Sequence, residues 1–503
     1  MIEYPDFLPL KVLESQHSEY KAKAKLYDRL DDLVNGGYQI ERKKEQYLQA
    51  RPGEDPKLYA VRIKRFTYTN HLGSAISQQT SKLASGSVAV EDADDAFWAR
   101  FRAGTDRKKK RSESELLSEL FRTLQVFGSA FCLIDKPKMP EMYVIQNRQQ
   151  EESLGLDPYV CIYPPMCVTN WGYADDKLEW LKIRTIADDS SPFSPPKTSI
   201  EWRFIDGYSL ATYQAYVTID PDGNISGVVD ESGNRVQDDR VSRCDVPIVH
   251  GFGQIPVVHS ILPIDMWAAN NAYLLAMQHL DLENSRYDAG IMSYIQRTFK
   301  PESKPDSDFD DTYADDDSPI KTGNAYILRG DRFDFNESRG SVVITLGEYL
   351  KELKHSIFTL FGLQSATSSD GARDASGLSK KMDFALQEIL LRSYGSFLVD
   401  QYQNILKLVS IAANLPTPQV SGLDSFDIDS IETAVAIAAQ IPNNLDRLLP
   451  PTAIRLFSKQ LSGLLIKRVS SEQQATIDNE VDAMQFGQFK DPTQPIHPIN
   501  QAQ

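Results

Sequence analysis

Between Leu378 and Val409, apolar side chains return every three to four residues: Leu378, Met382, Ala385, Leu386, Ile389, Leu390, Tyr394, Phe397, Leu398, Ile405, Leu406 and Val409. That spacing is the 3.6-residue repeat of an α-helix. No proline interrupts it before Pro416. A helix over 378–414, at about 1.5 Å per residue, spans roughly 50 Å, longer than a small domain is wide. Whatever this chain folds into must house that rod. The preceding stretch "SATSSDGARDASG" (365–377) has no large apolar side chain and cannot bury itself. The sequence therefore mounts a soft polar loop on the end of a stiff helix.

The rest of the chain alternates helical and extended patterns. Residues 12–86 read as helical; in "DPKLYAVRIKRFTYTNHLGSAISQQTSKLASG", Pro56 stands near the start and Gly86 at the end. "SESELLSELFRTLQVFG" (112–128) opens with a capping box, Ser112 and Glu115, and stops at Gly128. From about 158 to 260, segments such as "LEWLKIRTI", "SIEWRFID" and "YSLATYQAYVTID" alternate β-branched and aromatic residues with polar ones, with turns at 220–224 and 231–234. This predicts a mainly antiparallel β region. Helical spacing resumes over 262–296, at Met266, Ala269, Tyr273, Met277, Leu280 and Leu282. An Asp-, Ser- and Pro-rich run follows, "KPESKPDSDFDDTYADDDSPIKTGN", unable to form a core. Then come short strands "AYILR" and "SVVIT", a helix over 346–362, the polar loop and the long helix. Two or three further helices fill 428–489, and the Pro/Gln-rich tail is expected to be disordered.

Composition excludes several classes. No run approaches the roughly 18–20 apolar residues of a membrane span. The N-terminus lacks the charged-then-apolar order of a signal peptide, which predicts an intracellular product. Cys132, Cys161, Cys167 and Cys244 are too sparse in 503 residues for a disulfide framework and are expected to be buried thiols. A net charge of −16 repels polyanions at long range, so any meeting with DNA should be low in adhesion.

The search for catalytic motifs returns little. "GARDASGLSKK" has the wrong glycine spacing for a phosphate loop, and its lysines are displaced. The aspartates of 306–317 lack the central glycine and terminal glutamate of a calcium loop and read as a solvated acidic segment. Seven histidines are scattered without a ligand or triad pattern. The basic run "DRKKKR" (106–111) reads as a solvated turn, with nucleic acid or an acidic neighbour as the other readings. No cofactor and no metal site is expected.

The order of elements, together with "YLQARPGEDPKLYAVRIKRFTYTNHLGSAISQQTSKLASG" and "YLKELKHSIFTLFGLQSATSSDGARDASGLSKKMDFALQ", resembles the portal proteins of tailed bacteriophages. The second stretch is similar to the portal pattern of helix, flexible loop, and a Ser-Gly opening the long helix (Ser376, Gly377). The resemblance implies an α+β, mainly α fold of wing, stem, clip and crown, with a β-rich insert and a very long channel-side helix. It implies wing at 1–260, a stem helix at 261–297, clip at 298–325 and a wing return at 326–363. The tunnel loop then falls at 364–378, the channel helix at 379–415, the helical crown at 416–490 and a disordered tail at 491–503. A second stem helix, which portals place after the clip, is not visible before "AYILR".

By the same resemblance the chain is not an enzyme. It forms a homo-oligomeric ring, usually of twelve, at one capsid vertex of the virion, assembled in the host cytoplasm. Its partners are the major capsid protein, the terminase large subunit, a head–tail adaptor or tail protein, and double-stranded DNA passing non-specifically through the channel; no membrane is involved. Ser368, Ser369, Arg373, Lys380 and Lys381 would face the DNA, and Asp308, Asp310, Asp311, Asp315, Asp316 and Asp317 would dock partners at the clip. The competing readings are a metal-dependent nuclease or packaging ATPase using the acidic segment, and another ring-forming head–tail connector, a class usually much shorter.

Overall fold

A computed structural model describes residues 2–93, 95–137, 148–175, 177–191, 194–219, 225–229, 235–236, 239–292, 296–300, 320–322, 325–336, 341–363, 377–424, 426, 477 and 479–480. The chain divides into two units, Met1–Phe426 and Asp427–Gln503. Of the second unit, only Ile477, Asn479 and Glu480 are described, and they are helical. The helices expected over 428–489 otherwise lie outside the described residues, as do the tail and the turns at 220–224 and 231–234.

The first unit opens with a short strand, β1 (Phe7–Pro9), and α1 (Leu10–Leu13). Next come α2 (Ser18–Asn35), α3 (Gly37–Arg42), α4 (Lys44–Tyr47), α5 (Pro56–Ile63) and α6 (His71–Leu83). The helical stretch expected over 12–86 is thus broken, and the breaks have local causes. Asp55 caps α5 by accepting from the Lys57 N–H, with Pro56 at the first helical position. Asn70 starts α6 by accepting from the Gly73 N–H, while its own amide donates to the Val34 carbonyl at the end of α2. A Cβ on Gly73 would lie 2.3 Å from that carbonyl, so only glycine lets the two helices meet there.

After β2 (Val88–Glu91) and α7 (Ala96–Ala103) comes α8 (Glu113–Phe127). Both halves of the Ser112–Glu115 capping box are formed, and Gly128 ends the helix in the left-handed conformation (φ 73°). Next are β3 (Ser129–Asp135), α9 (Arg148–Ser153), β4 (Tyr159–Tyr163), β5 (Val168–Ala174), β6 (Lys177–Ser191), β7 (Ser194–Asp206), β8 (Ser209–Ile219), β9 (Ile225–Val229), β10 (Arg240–Ser242), β11 (Ile248–Val249) and β12 (Val257–Ile261). The largest sheet has the order β11-β8-β7-β6-β5, with β9 also on β8, and every pairing in it is antiparallel. β12-β3-β4 forms a second sheet, and β1 pairs β10. The antiparallel region therefore stands as expected, with β3 added to it from "SAFCLID".

The N-terminal segment closes one face of the large sheet. Tyr4 and Leu13 pack with Ile200, Trp202, Tyr213 and Val241 in a core of their own. Lys182, fully buried, fixes this strap: its ammonium donates to the carbonyls of Leu13 (2.6 Å) and Ser15 (2.5 Å) at the end of α1. A buried ammonium needs such acceptors to offset its desolvation.

The chain continues through α10 (Ala269–Met292), β13 (Gln296–Lys300), β14 (Ile320–Thr322), β15 (Ala325–Asn336), α11 (Ser341–Leu360), α12 (Gly377–Ala413) and β16 (Gln419–Gly422). β13-β15-β14 is a small antiparallel sheet and β16 pairs β2. Three expectations need correction. Helix α10 starts at Ala269, so Met266 precedes it. "SVVIT" is the first turn and more of α11, not a strand. Further along α11 the buried positions Leu350, Leu353, Ile357 and Phe358 repeat at helical spacing and pack on the body, and the helix they fix extends back through the exposed Val342 and Ile344 against the β preference of that run. Among the cysteines only Cys132 is buried; Cys161 and Cys167 are half-buried and Cys244 is exposed.

Candidate functional site

The long helix is the element around which a site is built. α12 runs for 37 residues, one off at each end from the sequence expectation. From Gln387 onward one face enters the main core through Leu391, Tyr394, Leu398, Tyr402, Ile405, Leu406 and Val409. Polar clamps fix its rotation: the Tyr394 hydroxyl donates to the Met266 carbonyl (2.7 Å), the Ser260 hydroxyl donates to the Gln401 side-chain oxygen (2.8 Å), and Lys82 donates to the Gln387 side-chain oxygen. Ile389, counted in the apolar stripe from sequence, is 61 % exposed. The stripe is wider than the face that the body covers.

α10 and α11 form a second platform. They run antiparallel: the Gln278 amide donates to the Tyr349 hydroxyl (2.9 Å), and Gly347 lies against the Arg286 guanidinium. Small residues on α10, Ala269, Ala272 and Ala276, are buried and allow close approach to the body. Its C-terminal half is stapled to the segment before α6. The Asn284 amide exchanges two hydrogen bonds with the Thr67 backbone (3.0 and 2.9 Å), and the Glu283 carboxylate accepts from the Thr69 N–H and hydroxyl (3.1 and 2.5 Å). Beside these, the rings of His71 and His279 meet edge to face at 4.6 Å. Burial, with His279 and Lys354 nearby, pushes His71 down to about 4, and burial lowers His279 too. An open cleft of about 910 Å³ separates the C-terminal half of α10 from the N-terminal half of α11, with 67–71 as its floor.

The sequence-predicted site residues fall mostly elsewhere. Ser368, Ser369 and Arg373, and all six clip aspartates, Asp308, Asp310, Asp311, Asp315, Asp316 and Asp317, lie outside the described residues. Lys380 and Lys381 are on the first turns of α12, where only the backbone is described. The basic run is a built turn. Asp106 accepts from the N–H groups of Lys108, Lys110 and Arg111, and Arg111 is tied to Glu119 and the Val160 carbonyl, leaving Arg107, Lys108 and Lys110 exposed. Sequence reasoning gave no role to His71, His279, Glu283 or Asn284. Only the four-residue spacing of His279 and Glu283 on one helix face hints at them.

Among the described residues, no three His, Cys, Asp or Glu side chains are grouped to hold a metal, and no helix is long and apolar enough to cross a membrane.

No family model matches this chain, and no curated protein matches it. Solved structures that are similar to it include a chain from the virion of a native gene transfer agent particle, at 10 % identity and a TM-score of 0.35, covering 88 % of this chain and 99 % of that one. Another is a chain from the neck of an empty gene transfer agent particle, at 11 % identity and a TM-score of 0.36, covering 81 % of this chain and 95 % of that one. Scores of this size do not establish a shared fold.

Proposed function

We propose that the chain is the subunit of a portal-type ring, a channel through which double-stranded DNA enters and leaves a capsid. One observation carries the reading: α10 and α11 make an antiparallel hairpin with the β13-β15-β14 strands between them in sequence, and the 37-residue α12 follows. A portal stem, clip, returning stem, tunnel loop and channel helix need that order. In this reading α11 takes the part of the second stem helix, which the sequence pattern hides behind "SVVIT", rather than of a wing return. The clip then lies between Gln296 and Asn336, and the acidic residues of 308–317, within that stretch of the sequence, would serve terminase during packaging and an adaptor afterwards.

The electrostatics agree with a slide rather than a clamp. Binding of DNA grows with the number of phosphates neutralised, and in this chain 70 acidic residues outnumber 54 basic ones, for a net charge of −16. Lys380 and Lys381, repeated around a ring at the start of α12, are the sparse contacts of this reading, together with Ser368, Ser369 and Arg373 of the segment that precedes the helix in sequence. The test is DNA packaging into proheads that carry a ring of subunits lacking 368–375. The expected result is intact rings with a reduced filled fraction or leaking DNA. Normal filling and retention would remove the loop from the channel.

A further inference from the structure

We propose that the cleft between α10 and α11 is a docking groove for a carboxylate-bearing surface of the next copy of this chain. The inference rests on the ring reading and names one contact within it. Three cations stand on the cleft walls, Arg286 on α10 and Lys351 and Lys354 on α11. Among the described residues, none of them makes an ion pair. Two carboxylates share the cleft, but Glu283 is occupied by the Thr69 backbone and hydroxyl, which leaves Glu348 against three cations.

A second observation concerns the wall of the same cleft. His279 lines the cleft and is 94 % buried as 6 % exposure implies, yet its Nδ1 has no hydrogen-bond partner. The nearest carboxylate oxygen, on Glu283, is 3.8 Å away, beyond hydrogen-bond length. Buried polar nitrogens are usually paired, so this wall of the cleft is imperfectly satisfied within the subunit. The lip of the groove is apolar and exposed: Ile344 is 63 % and Tyr287 48 % exposed. Cations around an apolar lip suit an acidic protein surface.

Charge complementarity selects the occupant. The chain carries 70 acidic against 54 basic residues, so a neighbouring copy presents carboxylates to a cleft that is locally cationic. Closed rings use head-to-tail contacts, in which a groove on one subunit meets a different surface on the next. DNA is the poorer occupant. Its phosphates would approach Glu283 and Glu348, and the apolar lip would stay wet.

The experiment uses the full chain in two arms. Mass photometry across a concentration series compares the wild type with Lys351→Glu/Lys354→Glu and, separately, Ile344→Ser. In the second arm a photo-reactive phenylalanine replaces Ile344 and cross-links are mapped by mass spectrometry. The expected result is an assembly midpoint raised at least about tenfold in the charge-reversed protein, a smaller rise for Ile344→Ser, and cross-links to a different, acidic surface of a second copy. Wild-type assembly matched by both variants, with no intermolecular cross-link, overturns the groove while leaving the ring reading standing. A wild type that never assembles overturns the ring reading itself. If the charge-reversed protein does not fold, Ile344→Ser and the cross-link decide. Loss of binding to a short DNA duplex without any change in assembly assigns the groove to phosphate and overturns the proposal.

Discussion

Replacing Gly395 by alanine sets two opposed effects against each other. Glycine inside a helix costs roughly 0.5–1 kcal/mol relative to alanine, so in the middle of α12 the substitution should stabilise by that amount if nothing stood in the way. Something does. An added Cβ would lie 2.0 Å from the Leu423 carbonyl oxygen and 2.9 Å from the Leu423 Cβ. That segment has little room to retreat: the Leu423 N–H donates to the Ser87 carbonyl (3.0 Å), Leu423 sits at φ 54°, and Gly422 is itself packed against Ser87. Overpacking costs about 1–3 kcal/mol, and a clash with backbone belongs at the top of that range. The net expectation is a destabilisation of about 2 kcal/mol. With about 2.1 cal/mol/K of unfolding entropy per residue across Met1–Phe426, the fall in Tm is roughly 2 °C. Calorimetry should see it against the wild type. A Gly395→Ala protein as stable as wild type would refute the argument that α12 is locked against the segment after β16.

Other outcomes are equally open to measurement. Ser112→Ala removes the cap of α8 and should cost about 1 kcal/mol, read as a lower urea midpoint; an unchanged midpoint would mean that the cap adds nothing. Burial pushes both His71 and His259 down to about 4, below the unfolded value near 6.5, so the unfolded chain binds these protons more tightly. Stability from these groups is complete above about pH 6.5 and is lost as pH falls toward 4. His259 alone, stacked on Phe131 at 4.0 Å, should account for on the order of 3 kcal/mol at about pH 4. His71 should contribute less than its shift suggests, being more open to solvent. The drop in urea midpoint between about pH 7 and about pH 4.5 should be smaller in His259→Phe than in wild type, with the His71 part remaining, and an equal drop in both would reject the assignment. Lys380→Glu/Lys381→Glu should alter DNA passage or retention while rings form normally; a collapsed ring would mean that these residues hold neighbours together instead.

Local rules carried much of the fold into view. α8 was legible because its capping box and its left-handed glycine act within a few residues, and α12 because an apolar repeat sustained over so many turns has no other reading. The antiparallel region was legible from alternation, yet β3 was not: "SAFCLID" is buried on nearly every residue between two neighbouring strands and so loses the alternation that betrays a half-buried strand. "SVVIT" misled because β-branched propensity is weak beside the packing of α11 on the body. The breaks near Asn70 were hidden since they depend on the Val34 carbonyl, far away in sequence. The groove was the least legible feature. His71, His279 and Lys354 meet only through the fold, and the exposure of Ile344 cannot be read from a periodic apolar pattern. The loop and the acidic segment drew attention in the sequence for what they lack, large apolar side chains, and their composition alone suggested roles at an aperture and a docking tip.

The central claim is that copies of this chain close into a ring around a channel, and electron microscopy of the purified full-length protein tests it most directly. The account predicts end-on class averages showing a closed ring of identical subunits with a central opening wide enough for duplex DNA, and side views with a stalk. Particles that remain monomers or dimers across a range of salt and concentration, or that assemble into open filaments, would contradict it.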